Sequence, residues 1–311
     1  MKRGGRIKKV TDGLAYIVGR ASLAFAGRLP YRLTPLFGSL IGQLVFFVLH
    51  GKHKRIAYKN MDTVFQEGLP WWRKRLMLAV SFQEFGRNLF LLMNAKKAVR
   101  HAESLYEVRG FERIEPYVQQ GKGFIGVSLH MGLFMLICQK LRHLGLGVTY
   151  LIRAPKNKRM AARMFHYMTP FGISYVPDKP KPASVAGLLK ALREGRMVVM
   201  MTDIKHNPKE GVWSEFLGVE CVSYAGPAVL AKRAGCPVIP FVVTRERRHY
   251  AIHFLEPIQA GPSLSVESIV KLYEERLGRF VVEHPTQWWW LHDRFRYKRL
   301  EQGPQKAGAP A

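Results

Sequence analysis

His130 has the most suggestive setting of any titratable residue in this sequence. It follows an apolar, strand-prone run, Phe124 to Leu129, and directly precedes a second apolar run, Met131 to Cys138, which favours a helix. Histidine changes its protonation state near neutral pH, so an imidazole held between a strand and a helix can act as a general base toward a bound substrate. The alternative is a histidine that caps the helix and is satisfied by the backbone.

Two further polar residues lie at the ends of predicted strands. Arg153 follows the strand Gly147 to Ile152, and Asp203 ends the strand Met197 to Thr202. Open α/β sheets bind ligands at the carboxyl ends of their strands, so both residues are predicted at the same edge as His130. Asp203 could orient a histidine or cap a loop. Arg153 could hold an anion, or it could be one surface cation among the 49 lysines and arginines.

A fourth candidate is the helix start at Gly226, where Pro227 is well placed as the first helical residue. The free backbone N–H groups of such a helix start can meet an anion or an oxyanion. The segment before it, Gly211 to Gly218, is predicted as a loop. This region could equally be a tight loop that packs an aromatic side chain.

The elements that must position these residues change in character along the chain. After Tyr106, short apolar runs alternate with amphipathic stretches, which predicts an α/β fold with a mixed, mostly parallel central sheet flanked by helices. The predicted strands are Phe124 to Leu129, Gly147 to Ile152, Ile173 to Val176, Met197 to Thr202, Pro237 to Val243 and Tyr250 to Phe254. The predicted helices are Met131 to Leu144, Lys156 to Met168, Ala183 to Glu194, Gly226 to Ala234 and Val266 to Glu283.

The N-terminal part has a helical pattern throughout, from about Thr11 to Asn94. Within it, Leu33 to Leu49 carries no charge and has basic flanks, which favours a membrane-embedded or in-plane anchor over a true span. The alternative is a buried helix pair of a soluble protein. We therefore predict an N-terminal helical, membrane-anchoring region over residues 1–105, an α/β domain over 106–302 and a disordered tail over 303–311.

Composition narrows the function classes. The formal net charge of +27 predicts a field that attracts nucleic acid, anionic lipid or acidic proteins. No signature of a nucleic-acid-binding fold accompanies the basic residues, so nucleic acid is not the expected partner. The three cysteines lie in apolar or small-residue stretches without CxxC spacing, which predicts buried thiols and no metal site. The run Trp288 to Trp290 could be a membrane-interface belt or core packing.

The order of these pieces resembles the bacterial lipid A biosynthesis acyltransferases of the lauroyl and myristoyl type, within the lysophospholipid acyltransferase superfamily. The matching segments follow one another in the expected order between Lys52 and Arg296. They are KHKRIAYKNM (Lys52 to Met61), GKGFIGVSLHMGLFML (Gly121 to Leu136), LIRAPKN (Leu151 to Asn157), the segment from Thr202 to Phe241, and QWWWLHDRFR (Gln287 to Arg296).

The resemblance implies transfer of a fatty acyl chain from an acyl carrier protein or coenzyme A thioester to a hydroxyl of a lysolipid or glycolipid, such as a lipid A precursor. It implies a location on the cytoplasmic face of the bacterial inner membrane and no cofactor. His130 would be the general base, and Arg153 or the N–H groups near Gly226 would hold an acceptor phosphate or the developing oxyanion.

One residue departs from the family pattern. The family has Asp or Glu five residues after the histidine, and this chain has Met135 there. A thioether can neither orient the ring nor stabilise an imidazolium. Either Asp203 or another carboxylate takes over, or His130 works with a backbone partner, or activity is weak or absent. The alternative function is therefore a catalytically impaired relative that binds lipid or scaffolds a partner at the membrane.

Overall fold

The computed structural model describes residues 20–48, 51–155, 157–247 and 249–298. The predicted tail over 303–311 lies outside them. The centre of the fold is a seven-stranded sheet in the order β1-β9-β8-β2-β5-β3-β4, in which the β8/β9 pair alone among these strands is antiparallel. The strands are β1 Tyr106–Arg109, β2 Phe124–Ser128, β3 Val148–Ile152, β4 Ser174–Pro177, β5 Met197–Met201, β8 Val238–Arg245 and β9 Tyr250–Phe254. The predicted mixed, mostly parallel sheet is confirmed.

The helices cover both faces of this sheet. Their bounds are α5 Ala95–Ala98, α6 Ala102–Leu105, α7 Glu115–Gln119, α8 Ile137–His143, α9 Lys158–Met168, α10 Lys181–Arg193, α11 Gly226–Ala234 and α12 Val266–Glu283. Alternate strand residues divide between two cores: Ile125 and Val127 pack with α10, α11 and α12, whereas Phe124 packs with α8. Burial on both faces explains why the central strands are continuously apolar.

Two predictions about local structure are wrong. The helix expected from Met131 begins only at Ile137. Met131 instead forms a bridge with Trp288, and Gly132 has a φ of +59° with its Cβ direction 2.3 Å from the Val243 carbonyl oxygen. Only glycine tolerates both conditions, so the chain after His130 runs as a loop and then a 3₁₀ turn, Phe134–Leu136, before α8 starts.

The segment predicted as a loop over Gly211 to Gly218 is also different. It belongs to a hairpin of β6 Val212–Phe216 and β7 Val219–Ser223. Leu217 and Gly218, which connect the strands, both have positive φ values, as in a tight two-residue hairpin turn. Leucine is an unusual first residue for such a turn, so this hairpin has no clear sequence signal.

The N-terminal part is helical where it is described. It contains α1, which covers 20–28 among the described residues, α2 Thr34–Val48, α3 Lys52–Phe65 and α4 Trp71–Met93. Helices α2 and α4 cross closely because glycines meet at the contact: a Cβ on Gly42 would lie 2.1 Å from the Phe82 carbonyl oxygen, and one on Gly86 would lie 2.2 Å from the Gly38 carbonyl oxygen. This contact buries one face of α2.

The opposite face of α2 is exposed and apolar. Leu36, Leu40 and Leu44 are each more than half exposed. The stretch Tyr31–Val48 is long and apolar enough to cross a membrane by length and composition, and 22% of it is buried. Most of this stretch is therefore at least partly exposed among the described residues.

Two smaller expectations were resolved by the side chains. Cys138, Cys221 and Cys236 are free and buried, as predicted. Trp288 and Trp290 are almost completely buried, so core packing is the correct interpretation for these two members of the tryptophan run.

Candidate active site

Neighbouring parallel strands bring His130 and Asp203 together. Strand β2 pairs with β5 in a register that places Ser128 beside Met201, and each chain continues past the end of its strand at the same edge. His130 Nδ1 lies 2.7 Å from Asp203 Oδ1. The backbone N–H of His130 donates to Asp203 Oδ2 over 2.8 Å. One carboxylate therefore fixes both the ring and the backbone of the histidine.

Asp203 is held in turn by the segment Gln287 to Phe295, called the C-terminal segment below. Trp288 Nε1 donates to Asp203 Oδ2 over 2.8 Å, and the Asp203 side chain is inaccessible to solvent. A buried carboxylate with three hydrogen-bond partners in fixed positions cannot rotate freely. The geometry holds Asp203 in place to orient the imidazole.

The charge of Asp203 favours the protonated form of the His130 ring. Burial lowers the pKa of His130, but the charge of Asp203 and its hydrogen bond outweigh burial, so this pKa lies above its ordinary value. Burial raises the pKa of Asp203, but the neighbouring His130 imidazole outweighs it and holds the pKa well below the usual range. Asp203 is thus ionised and can stabilise an imidazolium.

His130 opens onto an apolar cavity of about 340 Å³. This volume falls within the range of ligand pockets, about 300–1,000 Å³. Because Asp203 binds Nδ1, the ring nitrogen left for a substrate is Nε2. The cavity is lined by three segments of the chain: Ser81, Phe85, Asn88, Leu89 and Leu92 of α4, His130 and Gly132 to Met135 of the loop after β2, and Gln287 to Trp289 with His292 of the C-terminal segment.

Arg153 and Gly226 lie at the same edge of the sheet but do not line this cavity. The Arg153 side chain is 78% exposed, and its Nε donates to Asp178 Oδ2 over 3.0 Å. Gly226 begins α11, and the ring of Tyr224 lies beside it, 2.5 Å from the direction of its missing Cβ. The structure therefore brings His130 and Asp203 into contact, whereas Arg153 and Gly226 stand apart from them.

The family model for bacterial lipid A biosynthesis acyltransferase matches residues 7–297. The chain belongs to this family. The acyltransferase is 24% identical over 279 residues to the lipid A biosynthesis lauroyltransferase of Escherichia coli strain K12, a match that covers 86% of this chain and 87% of that one. It is also similar to the crystal structure of the 1-acyl-sn-glycerophosphate (LPA) acyltransferase PlsC from Thermotoga maritima, with a TM-score of 0.41 and 17% identity, over 84% of this chain and 100% of that one.

Met135 of the acyltransferase faces the cavity rather than the Nδ1 edge of His130. It is one of the cavity-lining residues, and Asp203 occupies the Nδ1 position that an orienting acid needs. The methionine is consequently part of an apolar wall. Among the described residues of the acyltransferase, no group of three or more His, Cys, Asp or Glu side chains could hold a metal ion.

Sequence reasoning missed two residues of this site, Trp288 and His292. The His292 ring centroid lies 4.9 Å from that of His130, with an angle of 59° between the planes. Both residues are in the segment QWWWLHDRF, which the sequence singles out as an aromatic cluster. That signal identified the segment, but it could not reveal that the segment folds back onto the ends of β2 and β5.

Proposed function

We propose that this acyltransferase moves a fatty acyl chain from an acyl carrier protein or coenzyme A thioester to a hydroxyl of a lysolipid or glycolipid, such as a lipid A precursor. The observation that carries the proposal is the His130–Asp203 pair, which opens onto an apolar cavity of about 340 Å³. Membership of the lipid A acyltransferase family supports a thioester donor and a lipid acceptor. The cavity supplies the apolar surroundings that a hydrocarbon chain prefers.

In the proposed reaction, Nε2 of His130 removes the proton of the acceptor hydroxyl as its oxygen attacks the thioester carbonyl carbon. Asp203 stabilises the imidazolium that forms. The tetrahedral intermediate then re-forms its carbonyl and expels the thiolate, which takes the proton from His130. The products are the acyl ester and the free thiol, and a thioester is reactive enough for this exchange without a metal.

Arg153 is the better supported of the two proposed anion-binding positions. Its guanidinium is exposed at the same edge as His130, and Asp178 fixes its direction. A phosphorylated acceptor whose hydrocarbon part enters the cavity would leave its phosphate outside, where an exposed arginine can form paired hydrogen bonds with it. The ring of Tyr224 beside Gly226 leaves less room for an anion at the start of α11.

Association with the cytoplasmic face of the inner membrane is supported by the surface of the N-terminal helices. The exposed face of α2 is apolar, and Trp71 and Trp72 at the start of α4 are 73% and 51% exposed. Arg73, Lys74 and Arg75 follow directly. Tryptophan prefers the headgroup level of a bilayer, and basic residues are attracted to anionic lipid.

The decisive experiment is transfer by the full-length protein. Acyl carrier protein and coenzyme A thioesters are each offered with a lipid A precursor or a lysophospholipid, and the product is followed by mass spectrometry. His130→Ala should abolish transfer, whereas His143→Ala, an exposed histidine on α8, should not. Absence of transfer by the wild type with every pair would favour the impaired relative that binds lipid.

Membrane association is tested separately by flotation with vesicles that contain anionic phospholipid. The double variant Leu40→Asp with Leu44→Asp should remain in solution, because it places two charges on the exposed apolar face of α2. Val229→Asp, an exposed apolar position on α11, is the matched control and should float like the wild type. Equal flotation of all three proteins would contradict an anchor in α2.

A further inference from the structure

A second imidazole shares the cavity with His130. His292 lines the same cavity from the C-terminal segment, and its ring centroid is 4.9 Å from that of His130. The ring makes no hydrogen bond to another described residue, so its polar edge is available to a ligand. Two histidines that face one apolar space, with only one held by a carboxylate, have different chemical capacities.

The backbone of His292 is fixed by a buried side chain far away in sequence. Asn60 of α3 is 1% exposed, and its Nδ2 donates to the carbonyl oxygens of Trp290 over 2.8 Å and of His292 over 2.6 Å. The carbonyl of His292 also accepts from the backbone N–H of Arg294. The position of His292 is therefore determined by the core and not by a flexible loop.

The same segment is attached to the loop that carries His130. Trp288 donates to Asp203 and forms a backbone bridge with Met131, the residue after His130. The two histidines are thus carried by segments that are bonded to each other, and their rings lie next to each other in the cavity wall. A group that contacts both rings would meet them in positions that the chain already fixes, which is the condition for preorganised stabilisation of a transition state.

The surroundings of the two histidines shift their pKa values in opposite directions. Burial lowers the pKa of His292, and although Asp203 opposes this, the pKa remains below its ordinary value, whereas that of His130 is raised. Pairs of titratable groups whose surroundings shift their pKa values in opposite directions usually have different roles in a reaction. His130 accepts the proton, and His292 stays neutral with one N–H to donate.

We propose that His292 is a catalytic residue whose neutral imidazole donates a hydrogen bond to the carbonyl oxygen of the thioester as that oxygen becomes negative. The electron pair of the carbonyl moves to the oxygen when the acceptor attacks, and it returns when the thiolate leaves. His292 keeps its proton throughout. This inference rests on the proposed function, since it assigns a further residue to the same reaction.

The test compares His292→Phe, which keeps a ring but cannot donate, with His292→Asn, which keeps a donor. Loss of one oxyanion donor typically lowers kcat by about 10²- to 10³-fold. We expect a fall of that order for His292→Phe, a smaller fall for His292→Asn, and little change in the KM for the acceptor. His166→Phe, an exposed histidine on α9, should behave like the wild type.

A second reaction separates this role from acceptor binding. Without acceptor, slow hydrolysis of the thioester by water passes through the same oxyanion, so His292→Phe should lower hydrolysis and transfer by the same factor. A variant that lowers transfer alone, or raises only the KM for the acceptor, would overturn the proposal. So would a kcat within about twofold of wild type in a folded His292→Phe protein. If the wild type itself transfers no acyl chain, it is instead the proposed function that fails.

Discussion

Two pairs of oppositely charged or chargeable side chains in this acyltransferase are anchored by the same C-terminal segment, yet only one of the pairs is accessible to solvent. In the first, the Asp203 side chain is fully buried and the His130 side chain is 30% exposed. In the second, Arg294 Nη2 lies 2.6 Å from Glu274 Oε1, and both side chains are inaccessible. Trp288 contacts the first pair, and Arg294 belongs to the second. We call His130 with Asp203 the open pair and Arg294 with Glu274 the closed pair.

The difference shows how similar chemistry serves two purposes. Arg294 also donates to the Val222 carbonyl oxygen and to Ser223 Oγ, so the closed pair joins the C-terminal segment to α12 and to β7. Ser223 Oγ is also 2.6 Å from Glu274 Oε2, which completes the network. In the open pair one partner has a free edge toward the cavity. We expect changes to the open pair to alter rate and changes to the closed pair to alter stability.

The largest effect should follow from Asp203→Asn. Loss of the carboxylate that orients a catalytic histidine can lower kcat by about 10⁴-fold. Asparagine has the same size and keeps the Trp288 contact, so the unfolding midpoint should change little by comparison. The measurement is single-turnover acyl transfer beside urea unfolding. A loss of activity that only parallels a loss of folded protein would contradict the comparison.

The same variant should shift the pH profile in a defined direction. A general base must be neutral, so activity in the wild type rises with pH through the pKa of His130, which Asp203 raises above its ordinary value. Removing that charge leaves burial, which lowers the pKa, so the acidic limb of kcat/KM should move to lower pH. A limb that stays in place would mean that it reports another group.

Disruption of the closed pair should have the next largest effect, which is a loss of stability. Glu274→Gln leaves the buried Arg294 charge without its partner, which typically costs about 3–5 kcal/mol. The neighbouring Glu275 forms an exposed pair with Arg279, so Glu275→Gln is a matched control that should cost less than about 1 kcal/mol. Urea unfolding measures both. Equal midpoints for the two variants would contradict a stabilising role for the closed pair.

Asn60 provides an intermediate test, because it supports the C-terminal segment between the two pairs. Asn60→Ala leaves the carbonyls of Trp290 and His292 without their side-chain donor, at a cost of about 1–3 kcal/mol in the free energy of unfolding. If His292 acts as proposed, kcat should also fall while the KM for the acceptor stays constant. Asn207→Ala, in an exposed loop, is the control. Loss of stability with unchanged kcat would assign Asn60 a purely structural role.

Much of the sheet was predictable because its central strands are buried on both faces and read as continuous apolar runs. Strand β1 was not predicted, because it lies at the sheet edge and alternates apolar with charged residues, Glu107 and Arg109. The late start of α8 was hidden for another reason. Met131 to Leu136 has a helical composition, but the Met131–Trp288 bridge and the contacts of Gly132 oppose an α-helix at its start, and a 3₁₀ turn over Phe134–Leu136 precedes α8.

The site was predictable to the extent that it follows from sheet topology. The rule that parallel strands end at one edge placed Asp203 near His130, and the two side chains are in contact, although the catalytic roles of both remain predictions. Trp288 and His292 are different, because the contact between Trp288 and Asp203 joins residues 85 positions apart that do not lie on adjacent strands. No local pattern encodes such a contact.

The smallest effect should come from Met135→Glu, which restores the acid of the family pattern. If Met135 were the cause of a weak site, this change would raise kcat substantially. Asp203 already bonds Nδ1 of His130, and Met135 lines the cavity, so an added carboxylate would find no free N–H on the neutral His130 ring and would place a charge beside the substrate. We expect kcat to stay within about threefold of wild type or to fall, with Met135→Leu as the apolar control. A clear gain for the glutamate variant alone would show that Asp203 does not complete the pair.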